Sequence, residues 1–295
     1  MAKWSGKSKG TVFGYKIFIF FIKNVSVQAA YLVLFFVASY YTLFSFDSSR
    51  DIYYYFNKRL GYSKLKSLFS IYKSYYVFGQ TLIDKSAILA GLRDQFTYEF
   101  DGIEKLKELL QNKNGGILIS AHVGNFEIAE YFFKEIDEHS EINLVTTDQE
   151  HTAIKEYLET VTSKSKVKLI LIKDDSSHIF EINNALSNKE LVCFTGDRYF
   201  EGAKYLEAEL LGEVAKFPAG PFLLASRLNT PVAFVYVMKE TNKHYHLYTK
   251  TAIVKKRDAQ FLLEEYTQSV EWILSKYPYQ WFNYFDFWNA KTSEK

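Results

Sequence analysis

The longest uninterrupted apolar run in the chain lies near the N-terminus. From Val25 to Phe46, between Lys23 and Asp47, 22 residues carry no charge. A helix of that length would be about 33 Å long, which is enough to cross the hydrocarbon core of a bilayer. The pattern therefore predicts a membrane-spanning or deeply inserted helix. A core helix of a soluble protein is one alternative, and a cleavable signal peptide is another that the long apolar run disfavours.

Beyond this run, residues 48–85 predict two helices, because apolar residues recur at helical spacing, as in Ser63–Lys73. From Thr97 onward, short apolar runs alternate with amphipathic stretches. The predicted strands are Thr97–Phe100, Gly116–Ala121, Ile142–Thr147, Val167–Lys173, Leu191–Gly196, Leu206–Leu211, Val232–Val237 and His244–Val254. The predicted helices are Ile103–Gln111, Asn125–Glu135, Ala153–Val161, Ile179–Leu186, Gly220–Arg227 and Ala259–Lys276.

This alternation predicts an α/β fold, with a single domain built on a central mixed, largely parallel sheet flanked by helices, plus the N-terminal membrane helix. Residues 1–47 are expected to form a basic N-terminus and a membrane anchor, and residues 48–295 the body. Within the body, residues 48–96 form a helical lead-in and residues 97–295 the α/β part.

Composition and charge narrow the classes of function. The net charge of +2 is too small for a nucleic-acid binder held by phosphate contacts. The lone cysteine, Cys193, excludes an internal disulfide. Residues 1–46 hold five lysines and no Asp, Glu or Arg. For a single span, the positive-inside tendency would keep these lysines cytoplasmic and place the body outside, whereas a hairpin or re-entrant helix would return the body to the lysine side.

The candidate chemistry lies where the strand Gly116–Ala121 runs into His122. Gly124 permits a sharp turn, and Asn125 could cap a helix that starts at about Phe126. Ligands of open α/β sheets bind beyond the carboxyl ends of the strands. His122 in the loop and Glu127 in the first helical turn could then meet, and a carboxylate on one imidazole nitrogen makes the other a general base.

His122-x4-Glu127 resembles the HX4(D/E) motif of the membrane-bound glycerolipid and lipid A acyltransferases. The chain is most similar to the late acyltransferases (lauroyl and myristoyl type) of lipid A biosynthesis in Gram-negative bacteria. The resemblance rests on the ordered blocks Ser-Ala-His-Val-Gly-Asn-Phe-Glu (residues 120–127), Gly-Asp-Arg-Tyr (196–199), Phe-Pro-Ala-Gly-Pro (217–221), Asn-Thr-Pro-Val-Ala (229–233) and Pro-Tyr-Gln-Trp (278–281).

The resemblance implies roles for individual residues. His122 would deprotonate the lipid acceptor, which attacks the thioester of an acyl carrier protein, and Glu127 would orient and balance the imidazolium. Asp197, Arg198 and Asn125 would position donor, acceptor or oxyanion. No cofactor, metal or nucleic acid is implied. Because such a donor is cytoplasmic, the resemblance favours a body on the cytoplasmic side of the inner membrane, with residues 48–295 as the acyltransferase domain.

Two departures from the family pattern keep alternatives open. The element at Phe217–Phe222 has neither the Glu nor the Arg of enzymes that acylate glycerol phosphates, and the tail Phe282–Trp288 lacks the usual basic residues. The acceptor could therefore be an amino-acid lipid or a polyene precursor. Two alternatives stand apart from these departures. One is a non-catalytic, membrane-tethered lipid-binding protein, which the presence of both His122 and Glu127 disfavours, and the other is a zinc hydrolase using His122, Glu127 and Asp197.

Overall fold

A computed structural model describes residues 20–22, 25–111, 115–129, 131, 141–146, 167–172, 175, 177–199, 202–228 and 230–288. The helices are α1 (Val27–Phe44), α2 (Phe46–Tyr54), α3 (Lys64–Ala87), α4 (Ile103–Gln111), α5 (Ser177–Ser187), α6 (Ala219–Leu228) and α7 (Ala259–Lys276). The strands are β1 (Thr97–Asp101), β2 (Gly116–Ser120), β3 (Ile142–Thr146), β4 (Lys168–Leu171), β5 (Leu191–Thr195), β6 (Tyr205–Leu210), β7 (Glu213–Pro218), β8 (Val232–Lys239) and β9 (His244–Thr251). The helix expected at Ala153–Val161 lies outside the described residues.

Seven strands form one sheet in the order β1-β9-β8-β2-β5-β3-β4. All neighbouring pairs are parallel except the β8–β9 hairpin. This confirms the prediction of a mixed, largely parallel sheet in a single α/β domain. Strands β1 and β9 run opposite to the other five. Because β8, β2 and β5 are parallel neighbours, their carboxyl ends meet at one edge of the sheet.

The strands at the centre of the sheet are almost entirely apolar, apart from Ser120 at the end of β2 and Lys239 at the end of β8. Every residue of β2 and of β8 is buried, as expected for strands covered by helices on both faces. The hydroxyl of the buried Tyr266 on α7 donates to the carbonyl of Ser120, 3.0 Å away, at the carboxyl end of β2. The end of this strand is therefore fixed by the helical layer as well as by its neighbours in the sheet.

Strand β7 was not predicted, and it pairs only with β6 in a separate antiparallel hairpin. Its sequence alternates, with Ala215 and Phe217 buried and Val214 exposed. A turn at Leu211 and Gly212, both with positive φ, joins the two strands. The motif Phe-Pro-Ala-Gly-Pro therefore spans the end of a strand and the start of α6.

Helix α1 packs lengthwise and antiparallel against α3. Leu34 lies over Gly79, where an added Cβ would come within 2.2 Å of the leucine Cδ1. The rings of Tyr41 and Tyr75 have centroids 5.9 Å apart. Within the described part of the chain, α1 is the one helix long and apolar enough to cross a membrane. One side of α1 is nevertheless buried against the body.

Candidate active site

His122 and Asp197 come together because they follow adjacent parallel strands. Ser120 at the end of β2 is in register with Thr195 at the end of β5. Two residues beyond each strand, Nδ1 of His122 lies 2.7 Å from Oδ1 of Asp197, and the His122 backbone N–H donates to Oδ2 at 2.9 Å. The Asp197 side chain is 1% exposed and the His122 side chain 23% exposed. The imidazole is therefore accessible, while its carboxylate partner is sealed from water.

This pairing determines what the imidazole can do. When Nδ1–H donates to the carboxylate, the lone pair of the neutral ring is on Nε2, which makes Nε2 the basic atom. Burial alone would raise the pKa of Asp197, but the charge of His122 and its two hydrogen bonds outweigh burial and lower the pKa to about 2. Asp197 is thus a carboxylate at neutral pH, and the pair can act as a general base.

The C-terminal segment completes the surroundings of the dyad. The Asn283 side-chain amide donates to Oδ2 of Asp197 at 2.8 Å. Arg198 donates through Nε to Oδ1 of Asn283 at 2.7 Å and through Nη2 to the carbonyl of Phe282 at 2.9 Å. The Phe282 N–H in turn donates to the carbonyl of His122 at 2.9 Å. Asn283 was not predicted as a site residue from the sequence. The feature that could have indicated it is a side-chain amide in an otherwise largely aromatic segment.

Arg198 is a buried cation. Burial lowers its pKa to about 10, and the nearby carboxylate of Asp197 opposes that shift. The guanidinium therefore keeps its charge at neutral pH. Its observed bonds tie the turn after β5 to the C-terminal segment, next to the position that Asp197 occupies.

The loop after His122 is held from both sides. The Gly124 N–H donates to the carbonyl of Gln280 at 2.8 Å, and the Asn125 N–H donates to the carbonyl of Val237 at 2.7 Å. The expected helix cap at Asn125 is wrong: its side chain makes no capping bond, and Phe126–Ile128 form a short 3₁₀ turn. The amide of Asn125 instead donates to the carbonyl of Thr81 in α3 at 3.0 Å.

Glu127 belongs to this 3₁₀ turn, but its side chain lies outside the described part of the structure. The expected pairing of Glu127 with His122 therefore stays a prediction. The carboxylate that the structure places on the ring is that of Asp197, which nearness along the chain did not indicate.

A second buried polar cluster lies next to this loop. Lys239, the last residue of β8, places Nζ 2.5 Å from the carboxylate of Asp84 in α3. The hydroxyls of Tyr31 and Tyr245 also donate to that carboxylate. Burial raises the pKa of Asp84 and lowers that of Lys239, while their mutual attraction opposes both shifts. The Lys239 backbone exchanges two hydrogen bonds with the Gln280 side chain, which links this cluster to the Gly124 loop.

Among the described residues, the side chains grouped closely enough to hold a metal ion are Glu99, Glu240 and His244. They lie at the β1–β9 side of the sheet, where His246 also contacts both carboxylates. This group does not include His122 or Asp197. The zinc-hydrolase alternative thus gains no support from the described side chains, although Glu127 is not among them.

Comparisons with known proteins show the family to which this chain belongs. No curated protein is significantly similar to this chain. The sequence model of one family, described as bacterial lipid A biosynthesis acyltransferase, matches residues 71–288, about three quarters of the chain. That span contains most of α3, the whole sheet, both members of the His122–Asp197 dyad and the Asn283 segment. The chain therefore belongs to the bacterial lipid A biosynthesis acyltransferase family.

Proposed function

We propose that this acyltransferase moves a fatty acyl chain from an acyl carrier protein thioester to a hydroxyl or amine of a lipid acceptor in lipid A or related glycolipid biosynthesis. The observation that carries the proposal is the His122–Asp197 dyad at the carboxyl edge of the sheet. It lies within the residues that the family model matches. A paired imidazole at this edge has the chemistry that acyl transfer needs from a protein.

In this mechanism Nε2 of His122 takes the proton of the acceptor as its oxygen or nitrogen attacks the thioester carbonyl. The tetrahedral intermediate collapses, the carbon–sulfur bond breaks, and the imidazolium returns the proton to the leaving thiolate. Asp197 holds Nδ1–H and balances the transient positive charge. Backbone amides beyond β2 and β5, or Arg198, are the proposed donors to the oxyanion.

The donor and the location follow from the same chemistry. A carrier protein is acidic, and the exposed cluster Lys255–Arg257 next to α7 offers it a basic docking surface. Because carrier thioesters are cytoplasmic, we place the body on the cytoplasmic side of the inner membrane, attached through α1. Glu127, which the sequence predicts as the orienting carboxylate of His122, is proposed here as a second carboxylate that balances the charge of the imidazolium.

The test uses the full chain in detergent micelles with acyl carrier protein thioester and a bacterial lipid extract. Thiol release and acylated lipid are measured together. We expect His122→Ala to lower transfer about 10²- to 10⁴-fold while the protein stays folded. The control His246→Ala, which removes an imidazole from β9, should keep native activity. Retained transfer by His122→Ala would end the proposal.

The same assay separates the two carboxylates. Asp197→Asn removes the acceptor from Nδ1 and favours the wrong ring tautomer, so we expect a loss of about 10²-fold or more. Glu127→Gln should lose less if its role is to balance charge. A large loss in Glu127→Gln alone would make Glu127 the partner and assign Asp197 a structural role.

The acceptor is open to a second candidate because the tail beside the dyad is aromatic rather than basic. Phe282 and Phe285 lie next to Arg198, and the segment Phe282–Trp288 holds no Lys, Arg or His. An amino-acid lipid needs fewer basic groups than a phosphorylated sugar. Lipid mass spectrometry of matched cells with the native chain, a deletion and His122→Ala would show which lipid class loses one acyl mass.

A further inference from the structure

Helices α1 and α3 share an exposed apolar face. It is formed by Leu32, Phe36 and Leu43 on α1 and by Leu65, Leu68 and Phe69 on α3, each more than half exposed. Phe35 of α1 contacts Tyr72 of α3, with ring centroids 5.8 Å apart, and thus joins the two parts. Large contiguous apolar surfaces on a folded body mark contact with lipid or with another protein.

Charge around this face favours a lipid surface. Lys64, Lys66 and Lys73 on α3 are exposed and flank the face, whereas the exposed positions of α1 hold no charge. Lysines that border an apolar helix face are the pattern of a helix lying in the membrane interface, where they meet anionic headgroups.

The opposite side of α1 belongs to the core of the body. Val27, Ala30 and Leu34 share a hydrophobic cluster with Ile128, from the turn after the active-site loop, and with Val237 of β8. Helix α1 is therefore packed on the catalytic body along its length, unlike an anchor that stands apart from the domain it tethers.

A buried polar contact fixes the N-terminal part of α1 at the sheet. The hydroxyl of Tyr31 donates to Asp84, lies 3.0 Å from Nζ of Lys239 and lies 3.0 Å from the carbonyl of Asn242 in the β8–β9 turn. Pulling α1 away would remove the Tyr31 hydroxyl from this buried ion pair, and buried charged groups that lose a hydrogen bond are destabilised.

These contacts conflict with a crossing helix. If α1 spanned the bilayer, α3 would have to run beside it from Tyr72 to Asp84. The irregular C-terminal segment that holds Phe282 and Tyr284 would enter the bilayer with α3, because these residues contact Phe78 and Ser74 on its other side. Charged groups are strongly disfavoured at the centre of a bilayer. Irregular backbone is not tolerated there in contact with lipid.

We infer that α1 does not cross the membrane, and that the shared apolar face of α1 and α3 lies in the plane of one leaflet with its lysines among the headgroups. This inference rests on the membrane attachment proposed above. It places the N-terminus and the body on the same side of the membrane. The positive-inside tendency then puts the basic residues 1–23 in the cytoplasm, where the body also meets its thioester donor. The active-site loop then lies one helical layer from the lipid acceptor.

The test places a fluorophore on single cysteines in a Cys193→Ala background. The sites are Phe36 and Leu43 on α1, Leu68 and Phe69 on α3, and Ile253 as an exposed apolar control outside the face. The full chain is reconstituted in vesicles of phosphatidylethanolamine and phosphatidylglycerol containing lipids with shallow or deep spin labels. We expect shallow labels to quench all four sites more than deep labels, and Ile253 to stay unquenched. Strong deep quenching on α1 with none on α3 would show a spanning helix and overturn the inference, as would no quenching at any site.

Two further measurements make the inference independent of the catalytic proposal. Protease sites at the two termini should both be protected in spheroplasts, and cleavage at the N-terminus alone would show a crossing helix. The double variant Leu68→Glu/Phe69→Glu should weaken vesicle binding about tenfold or more, because two apolar side chains no longer enter lipid. The control Phe180→Glu should bind as the native chain does. Acyl transfer by each variant in detergent micelles reports on catalysis separately.

Discussion

Asp197 accepts hydrogen bonds from the ring and the backbone of His122 and from the amide of Asn283. These donors stand 75 and 86 residues away along the chain. The sequence indicated both His122 and Asp197 as residues that follow strands, but nearness along the chain favoured Glu127 as the partner of His122. The adjacency of β2 and β5 brings Asp197 to the ring, and no local pattern reveals strand order.

The lowered pKa of Asp197 predicts how its contribution to stability depends on pH. A carboxyl whose folded-state pKa is about 2, against an ordinary value of 3.8, stabilises the fold above pH 3.8 and loses that contribution as the pH falls through 2. We expect the native chain to exceed Asp197→Asn by about 2 kcal/mol in free energy of unfolding near neutral pH. Urea unfolding in micelles should show this difference shrinking below about pH 4.

A suitable control is Asp47→Asn, which removes an exposed carboxylate ion-paired with Arg50 on α2. Its effect on unfolding should be small at every pH. A difference between native and Asp197→Asn that stayed constant from neutral to acidic pH would contradict the assignment of Asp197 as a buried carboxylate.

At the scale of the element, the turn between β2 and the 3₁₀ helix depends on one glycine. Gly124 has φ +66°, and a Cβ there would lie 2.2 Å from the carbonyl oxygen of Val237. Gly61 has a similar φ of +67° but open space around it. We expect Gly61→Ala to cost about 1–2 kcal/mol, the strain of the left-handed conformation alone.

Gly124→Ala should cost more than about 3 kcal/mol, because strain and a backbone clash add. It should also abolish thioester turnover, since the clash displaces the loop that carries His122. Urea unfolding and turnover measured on both variants would check this. Equal effects of the two substitutions would show that the loop accommodates the added methyl group.

The observed helices and strands also show how much of the fold hydrophobic periodicity predicts. The helices Ile103–Gln111 and Ala259–Lys276 have the predicted bounds, and the predicted strands lie within a few residues of those observed. Strand β7 was not predicted, because its alternation of buried and exposed residues is short and ends in a proline motif. The hydrogen bond of the Asn125 side chain to Thr81 was not predicted, because a residue before a turn has the pattern of a helix cap and only packing of α3 against the loop brings that carbonyl to its amide.

At the scale of the whole molecule, α1 packs into the core of the body in addition to its proposed contact with lipid. Its buried face and Tyr31 belong to the core beside the active-site loop. Replacing residues 27–44 by an unrelated apolar helix of equal length should therefore preserve membrane association but lose acyl transfer and lower the unfolding temperature. Sedimentation with membranes, thioester turnover and thermal unfolding would measure the three effects.

The matched control keeps Val27, Ala30, Tyr31, Leu34 and Ala38 and replaces the exposed positions of α1 by leucine. This variant should recover both activity and stability, because the contacts with the body are restored. Full activity in the unrelated helix would show that α1 serves as a tether alone.

The bonds from Gln280, Phe282 and Asn283 to the loop and the dyad have a consequence for when the enzyme first becomes competent. A ribosome makes the chain from its N-terminus, so His122 and Asp197 exist long before the residues that brace them. Helices α1 and α3, which we propose to face lipid, come earlier still. On that proposal a nascent chain reaches the membrane well before it can transfer an acyl group, and catalysis begins only when the segment that holds Gln280, Phe282 and Asn283 has been synthesised and docked.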